Sequence, residues 1–225
     1  EDKTVFLVLN PVSGLTNAEW VRQRFEAIFG KAGWTTSIYT TTGAESIAQV
    51  VQQALAEGVS MVAAAGGDGT ITEVASALAF TSVPLGIIPT GTWNALAHNL
   101  GIPILIEEAI HLLTLPHRQI ALDALKIGDR NYLLNVGIGL SSSIMQSTRR
   151  HQKRRYGFLA YFGNLIVQAS GLRLRSFRVE VDGVEHRVKA SELMVVNGSI
   201  IGLGELPTVL EIHPGDGKVE IIAIS

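Results

Sequence analysis

The stretch AAAGGDGTIT, residues 63–72, decides the fold of this chain. Small apolar residues are followed directly by two glycines, an aspartate, a third glycine and a threonine. Glycine turns are common at strand ends. A turn without side chains also lets backbone N–H groups approach an anion, and a helix that follows it adds roughly half a positive charge at its N-terminus. The stretch therefore predicts a strand, a phosphate-binding turn and a helix.

Apolar runs and helical periodicity alternate around this turn. The predicted strands cover residues 4–9, 34–40, 59–65 and 84–89. A helical stripe with the spacing of an amphipathic helix consists of Ile47, Val50, Val51, Ala54 and Leu55. Continuously apolar strands that are separated by helices indicate a parallel sheet covered on both faces. We therefore expect a doubly wound α/β nucleotide-binding domain over residues 1–118.

The pattern changes after residue 118. Short alternating strands follow, and Asp182-Gly183 is a dipeptide typical of a tight hairpin turn. We expect a second, mostly antiparallel β-rich domain over residues 119–225. Asp123 lies inside one of its strand patterns, in IALDALKIG, which is unusual for an aspartate and makes it a candidate for either a hairpin or a functional residue.

Composition excludes several classes of function. The net charge of −2 argues against a nucleic-acid-binding protein that relies on overall basicity. The absence of cysteine excludes a disulfide framework and a thiolate metal site, and is typical of a cytoplasmic protein. The apolar runs are too short for a membrane-spanning helix. The six histidines show no metal-ligand spacing.

Three turns of this kind follow predicted strands. They lie in LNPVSG (9–14), in GGDGT (66–70) and in PTGTWNALA (89–97). Because ligands bind beyond the carboxyl ends of parallel strands, three turns at one edge favour a shared phosphate site. Asp68 would repel a bare phosphate, and its presence therefore indicates Mg²⁺ or a hydroxyl donor between the two groups. Asp68 is therefore the candidate for a catalytic role, either linked to the metal ion or as a proton relay.

The motifs NPVSG, GGDGT and GTWNALAHNLGIP, in this order, resemble the catalytic domain of diacylglycerol kinases and their bacterial lipid-kinase relatives, with sphingosine kinases close by. The resemblance continues through LDALKIGDRNYLLNVGIGLSSSIM, RRYGFLAYF, VVNG and DGKVEIIAI, and covers nearly the whole chain. It implies an ATP-dependent lipid kinase that transfers the γ-phosphate to a hydroxyl of a diacylglycerol-like lipid. GGDGT alone is shared with NAD kinases and phosphofructokinases.

The resemblance also implies site residues. The residues that would bind ATP are Asn10, Thr40 or Thr41, Gly66, Gly67, Asp68, Gly69, Thr70, Ile71, Thr72, Thr92 and Asn94. Asn10 would brace the phosphate loop. A structural Mg²⁺ site of bacterial relatives maps to Asp216, with backbone carbonyls near His213 and Lys218.

Two departures from the family pattern bear on activity. Ala95 stands where many relatives have an aspartate, although sphingosine-kinase-like sequences also carry NALA there. The chain also ends at Ser225, before a C-terminal Asp-Gly-Glu motif whose glutamate is the proposed general base of relatives. Glu185, in VDGVE, falls in an earlier hairpin and is not a candidate. We expect the parent protein to continue and this fragment to be inactive or weakly active.

Membrane contact is expected from one basic segment. The cations Arg149, Arg150, Lys153, Arg154 and Arg155 precede an aromatic and apolar helical stretch. Such a segment is typical either of binding to an anionic membrane surface or of a solvated run of charges before a core helix. We expect a cytoplasmic protein peripheral to the membrane, without nucleic acid, and a homodimer is a further possibility through an exposed strand edge. The alternatives to a lipid kinase are an NAD kinase-like enzyme and a non-catalytic nucleotide- or lipid-binding module.

Overall fold

The computed structural model describes residues 3–139, 174–198, 200–201, 204–205 and 212–225. The basic segment 149–155 and the apolar stretch after it, on which the expected membrane contact rests, lie outside the described residues. Among the helices that are described, none combines the length and the apolar character needed to cross a bilayer.

Four parallel strands form the first sheet. They are β1 (Thr4–Leu9), β2 (Thr35–Thr40), β3 (Met61–Gly66) and β4 (Leu85–Pro89). Their order is β2-β1-β3-β4, so β2 lies on one side of β1, and β3 and β4 lie on the other. The direction of winding reverses between β1 and β3, and a crevice for ligands opens at such a switch point. The predicted parallel sheet is confirmed.

Helices cover both faces of this sheet. The helices are α1 (Ala18–Lys31), α2 (Ile47–Ala56), α3 (Asp68–Leu78), α4 (Ala95–Asn99) and α5 (Ile106–Thr114). Apolar residues of α1 and α5 pack with Leu7 on one face, and residues of α2 and α3 pack with Val8 on the other. Leu7 and Val8 point to opposite faces because successive side chains alternate along a strand.

The middle of the sheet consists of small residues. Strand β3 reads MVAAAG and is buried along its whole length. Its alanines leave space for the large side chains of the helices above and below, such as Phe25, Phe29 and Ile71. A strand buried on both faces reads as a continuous apolar run, which is why it was recognisable in the sequence.

The later part of the chain is antiparallel, as predicted. Strands β7 (Val136–Gly139), β10 (Glu192–Val196) and β13 (Glu220–Ile224) form a sheet in the order β13-β10-β7. Three hairpins accompany it, namely β5 (Leu125–Ile127) with β6 (Arg130–Tyr132), β8 (Arg175–Val181) with β9 (Val184–Ala190), and β11 (Ile200–Ile201) with β12 (Gly204–Glu205). The boundary expected after residue 118 stays a prediction.

The Asp-Gly hairpin is confirmed at the position that the sequence indicated. Asp182 and Gly183 have φ values of 50° and 80° and connect β8 to β9. Positive φ at both central residues is the requirement of a type I′ turn, which asparagine, aspartate and glycine meet most easily. The dipeptide therefore sets the register of this hairpin.

Replacement of one buried ring tests the packing of the first core. Phe25 is completely buried, and its ring centroid lies 4.4 Å from that of Phe29. We expect Phe25→Ala to lower the free energy of unfolding by about 3–5 kcal/mol, measured by urea denaturation. Phe80 is fully exposed, so the same replacement there should change the value by less than about 0.5 kcal/mol. Equal losses in the free energy of unfolding for the two variants would contradict the burial of Phe25 in this core.

Candidate nucleotide site

The three glycine turns meet at one edge of the first sheet. The Asn10 N–H donates to the carbonyl of Ala65, 2.9 Å away, which joins the turn after β1 to the end of β3. The Thr90 N–H donates to the carbonyl of Gly66 at 3.1 Å, which joins β3 to the turn after β4. The turns therefore surround the switch point between β1 and β3, as the sequence predicts.

The glycines allow these turns to touch through their backbones. A Cβ atom on Gly91 would lie 2.5 Å from the Cα of Gly67. A Cβ atom on Gly14 would overlap the carbonyl oxygen of Thr90, and Gly14 also has a φ of +64°. At these positions glycine is needed for contact between turns as well as for any approach of a ligand.

Asn10 holds the first turn against α3. Its Nδ2 donates to the Thr70 hydroxyl at 2.8 Å, and its Oδ1 accepts from the Val12 N–H at 3.1 Å. Thr70 is buried in the first turn of α3, where its Cβ would lie only 2.5 Å from a Cβ on Gly66. This geometry is consistent with the bracing role that the resemblance implies for Asn10.

The N-terminus of α3 faces the crevice without a side-chain cap. Gly67 precedes the helix in an extended conformation, and no side-chain hydrogen bond caps it in the described structure. Helix α1 differs, because Asn17 Oδ1 accepts from the N–H groups of Glu19 and Trp20. The first amides of α3 therefore remain available to an anion, and the helix is eleven residues long. A Cβ on Gly69 would meet nothing within 4 Å, which leaves open space above these amides.

The carboxylate of Asp68 bonds to backbone rather than projecting freely. Its Oδ1 accepts from the Leu96 N–H at 3.0 Å, and its Oδ2 accepts from the Ala95 N–H at 3.2 Å. Asp68 thus ties the second glycine turn to the beginning of α4. No local pattern in the sequence indicates this contact, because it depends on where α4 lies. The catalytic role predicted for Asp68 stays a prediction.

Asn94 stabilises the third turn. It is buried and lies in the left-handed region, with φ 49° and ψ 40°. Its Oδ1 accepts from the Gly91 N–H at 2.9 Å, and its Nδ2 donates to the Gly91 carbonyl at 3.0 Å. The side chain is therefore engaged within the turn, and Asn94 would affect a nucleotide by shaping the backbone.

The other predicted contact residues take different positions. Thr40 and Thr41 lie at the carboxyl end of β2, where the Thr41 N–H donates to the Leu9 carbonyl at 2.9 Å. Thr92 is exposed on the third turn. Ile71 is completely buried in the core, so it can meet a ligand only through its backbone. Thr72 faces a cleft between the two parts of the chain.

That cleft lies beside the second glycine turn and has a volume of about 780 Å³. Asp68, Gly69 and Thr72 line one wall, and residues 129–135, from the β5–β6 hairpin onward, line the other. The Ser76 hydroxyl donates to the Asn131 carbonyl at 3.3 Å and joins the walls. The cleft therefore extends to the beginning of α3.

The predicted Mg²⁺ loop is tied to Asp123. Asp123 Oδ2 accepts from the Gly217 N–H at 2.7 Å, and the Asp123 N–H donates to the Pro214 carbonyl at 2.8 Å. Asp123 does not lie in a strand, which corrects the expectation from the sequence, because its backbone pairs with this loop and β5 begins only at Leu125. Asp216 Oδ1 accepts from the Lys218 N–H at 3.0 Å.

The loop brings Asp216, His213 and Lys218 together in sequence and space. Among the described residues, no group of three or more acidic, histidine or cysteine side chains could hold a metal ion. A cation at this loop would therefore depend largely on backbone carbonyls, beside at most the carboxylates of Asp216 and Asp123, and the site stays a prediction.

Two asparagines that sequence reasoning missed join the later strands. Asn135 Oδ1 accepts from the N–H groups of Asn197 and Gly198, at 2.8 and 3.0 Å. The Asn197 Nδ2 donates to the carbonyls of Asp123 and Leu133, at 3.0 and 3.1 Å. Asparagines that follow pairs of apolar residues, in LLNVG and VVNG, were the available signal. They satisfy backbone groups that would otherwise be buried without partners.

Comparison with a family model identifies the family to which this chain belongs. The model of the diacylglycerol kinase catalytic domain matches residues 4–127, which include all three glycine turns. The chain belongs to the diacylglycerol kinase catalytic-domain family.

Two of the relatives of this diacylglycerol kinase family member are the following bacterial proteins. An uncharacterized protein from Synechocystis sp. is 32% identical over 88% of this chain and 48% of its own length. A protein from Pseudomonas fluorescens named "Probable lipid kinase YegS-like" is 30% identical over 98% of this chain and 72% of its own length. The chain spans between about half and three quarters of the length of these two relatives.

Solved structures agree with the family. The crystal structure of a diacylglycerol kinase from Bacillus anthracis matches 99% of this chain and 73% of its own, with a TM-score of 0.77 and 25% identity. A second structure from that organism covers 98% of this chain and 72% of its own, with a TM-score of 0.80 and 28% identity. The α/β sheet followed by antiparallel strands is therefore the fold of this family.

Replacement of Gly91 tests the contact between the turns. The added methyl of Gly91→Ala would meet the Cα of Gly67 at 2.5 Å and Asn94 Oδ1 at 2.8 Å. We expect a loss of about 1–3 kcal/mol in the free energy of unfolding, measured by urea denaturation. Gly30, in α1, has nothing within 4 Å of an added Cβ. Gly30→Ala should therefore stabilise by about 0.5–1 kcal/mol, and a neutral Gly91→Ala would refute the close contact.

Proposed function

We propose that this chain is the nucleotide-binding and acceptor-binding part of an ATP-dependent lipid kinase, which transfers the γ-phosphate to a hydroxyl of a diacylglycerol-like lipid. The observation that carries the proposal is the uncapped N-terminus of α3 at the β1/β3 switch point, enclosed by three glycine turns. Membership of the diacylglycerol kinase family supports the class of reaction.

The chain's own groups would act mainly by positioning. Phosphoryl transfer needs in-line alignment and stabilisation of charge more than covalent chemistry. The first amides of α3 would hold the phosphate oxygens, aided by the helix dipole. The hydrogen bond from Asn10 to Thr70 would keep these amides in place relative to β1. Gly69 would leave room for the phosphates, since no side chain projects there.

Magnesium would fit this site as a companion of the nucleotide. Mg²⁺ commonly keeps water ligands and binds through one or two carboxylates together with substrate phosphates. The described residues offer no cluster of three or more acidic or histidine side chains, so phosphate oxygens and water would supply most of its ligands. When bound, Mg²⁺ would neutralise part of the phosphate charge.

The lipid hydroxyl would enter through the cleft beside Gly69 and Thr72. The opposite wall contains Tyr132, Leu133 and Leu134, which give it an apolar portion next to the phosphate position. An acceptor with a hydroxyl on an apolar body suits this combination. The cleft also reaches the second glycine turn directly, so donor and acceptor would need no rearrangement of the sheet.

Transfer of labelled phosphate tests the reaction. With γ-labelled ATP, Mg²⁺ and lipid micelles, we expect the parent protein to place label in the organic extract when diacylglycerol or another hydroxyl lipid is present, and none without lipid. Label in a nucleotide product after addition of NAD would instead support the NAD kinase-like alternative. Nucleotide binding by the parent protein without transfer to any lipid would support a non-catalytic module.

Replacement of Gly69 separates phosphate contact from folding. Gly69 lies in α3 with open space at its Cβ position, so Gly69→Ala should stabilise the fold by about 0.5–1 kcal/mol. The methyl would occupy the space above the helix amides. We therefore expect at least about tenfold weaker binding of MgATP, equal to 1.4 kcal/mol, in calorimetry.

Gly30→Ala is the matched control for that measurement. It makes the same chemical change in helix α1 and also meets nothing within 4 Å. It should raise stability without changing nucleotide affinity. Unchanged MgATP affinity in Gly69→Ala would show that the α3 amides do not form part of the proposed site.

A further inference from the structure

Helix α4 begins without a cap of its own. The helix has five residues, and Asn94 occupies its N-cap position in a left-handed conformation without a side-chain cap bond. The Asn94 side chain is instead bonded to both backbone groups of Gly91. The first N–H groups of a helix lack intrahelical partners, so those of α4 need an acceptor from elsewhere.

Asp68 supplies that acceptor from a different turn. Its two carboxylate oxygens accept from the N–H groups of Ala95 and Leu96, at 3.2 and 3.0 Å. A negative charge at a helix N-terminus is favourable, and hydrogen bonds to a carboxylate are stronger than those between neutral groups. The N–H groups at the beginning of α4 thus partner both oxygens of the Asp68 carboxylate.

The other end of α4 reaches the later part of the chain. The Asn99 Nδ2 donates to the Ala95 carbonyl at 2.8 Å, and a Cβ on Gly198 would lie 2.8 Å from Asn99 Oδ1. Gly198 is itself held by Asn135. Helix α4 therefore lies between the second glycine turn and Gly198, which Asn135 connects to the cleft wall formed by residues 129–135.

We propose that Asp68 is a positioning residue, which fixes the third turn and α4 against the nucleotide turn, rather than a metal ligand or a proton acceptor. The nucleotide part of this inference rests on the proposed function. Loss of the carboxylate would release the start of α4 and loosen the third turn, which contacts Gly67 through Gly91. The α3 amides that would bind phosphate would then no longer be enclosed on the side of the third turn.

Hydrogen exchange without nucleotide tests the structural half. We expect Asp68→Ala to increase amide exchange in residues 90–99 by at least about tenfold, because capped helix amides become exposed. Asp68→Asn keeps one acceptor oxygen for Leu96 and should give an intermediate increase. Glu57→Gln removes the same charge from the end of α2, far from this contact in sequence, and should change nothing in 90–99. Unchanged exchange in Asp68→Ala would overturn the proposal.

Nucleotide binding tests the functional half. Affinity for MgATP should fall in the order wild type, Asp68→Asn, Asp68→Ala, with about tenfold between the first and the last, and the Mg²⁺ midpoint at saturating ATP should stay constant. An amide is a poor Mg²⁺ ligand and a poor proton acceptor. If Asp68 bound the metal ion, Asn would therefore be as harmful as Ala and the Mg²⁺ midpoint would shift. If Asp68 served only as a proton acceptor, all three proteins would bind MgATP equally well. Either result would overturn the proposal.

The exchange and binding measurements also distinguish failure of this inference from failure of the proposed function. If the wild-type chain bound no MgATP, the proposed function would fail, and the exchange measurement on 90–99 would still decide whether Asp68 positions α4. If MgATP bound normally to all three proteins, the positioning role would fail while the proposed nucleotide site stood.

Discussion

The contact of three backbone turns at the β1/β3 switch point is the constraint on which this structure depends. A Cβ atom on Gly91 would lie too close to Gly67, and a Cβ atom on Gly14 would overlap Thr90. The turns therefore fix one another, and together they fix the direction in which the first amides of α3 point. The close contact of these backbones depends on the absence of side chains at Gly14 and Gly91.

Polar side chains near this edge mainly hold the turns. Asn10 bonds to Thr70, Asn94 to Gly91, and Asp68 to the start of α4. In a sequence these residues look like ligand contacts, because amides and carboxylates are also the groups that bind nucleotides and metals. The structure assigns their visible hydrogen bonds to the protein itself. Precise placement of backbone donors is what phosphoryl transfer requires, since its catalysis is largely positioning.

Local patterns explain which features the sequence could predict. The strands of the first sheet and the α2 stripe follow from apolar periodicity, and the Asp182-Gly183 turn follows from φ requirements. Asp123 was misassigned to a strand because its neighbours Leu122 and Ala124 are apolar, whereas its partners are Pro214 and Gly217, about ninety residues away. The contacts of Asp68 with α4 and of Asn135 with Asn197 likewise depend on tertiary placement, which no local pattern encodes.

A crystal structure with a non-hydrolysable ATP analogue and Mg²⁺ would test the central claim most directly. The account predicts phosphate oxygens at about 2.9 Å from backbone nitrogens of residues 67–70, enclosed by the turns that contain Gly14 and Gly91. Phosphates bound at another edge of the sheet, or held by side chains away from the N-terminus of α3, would contradict it.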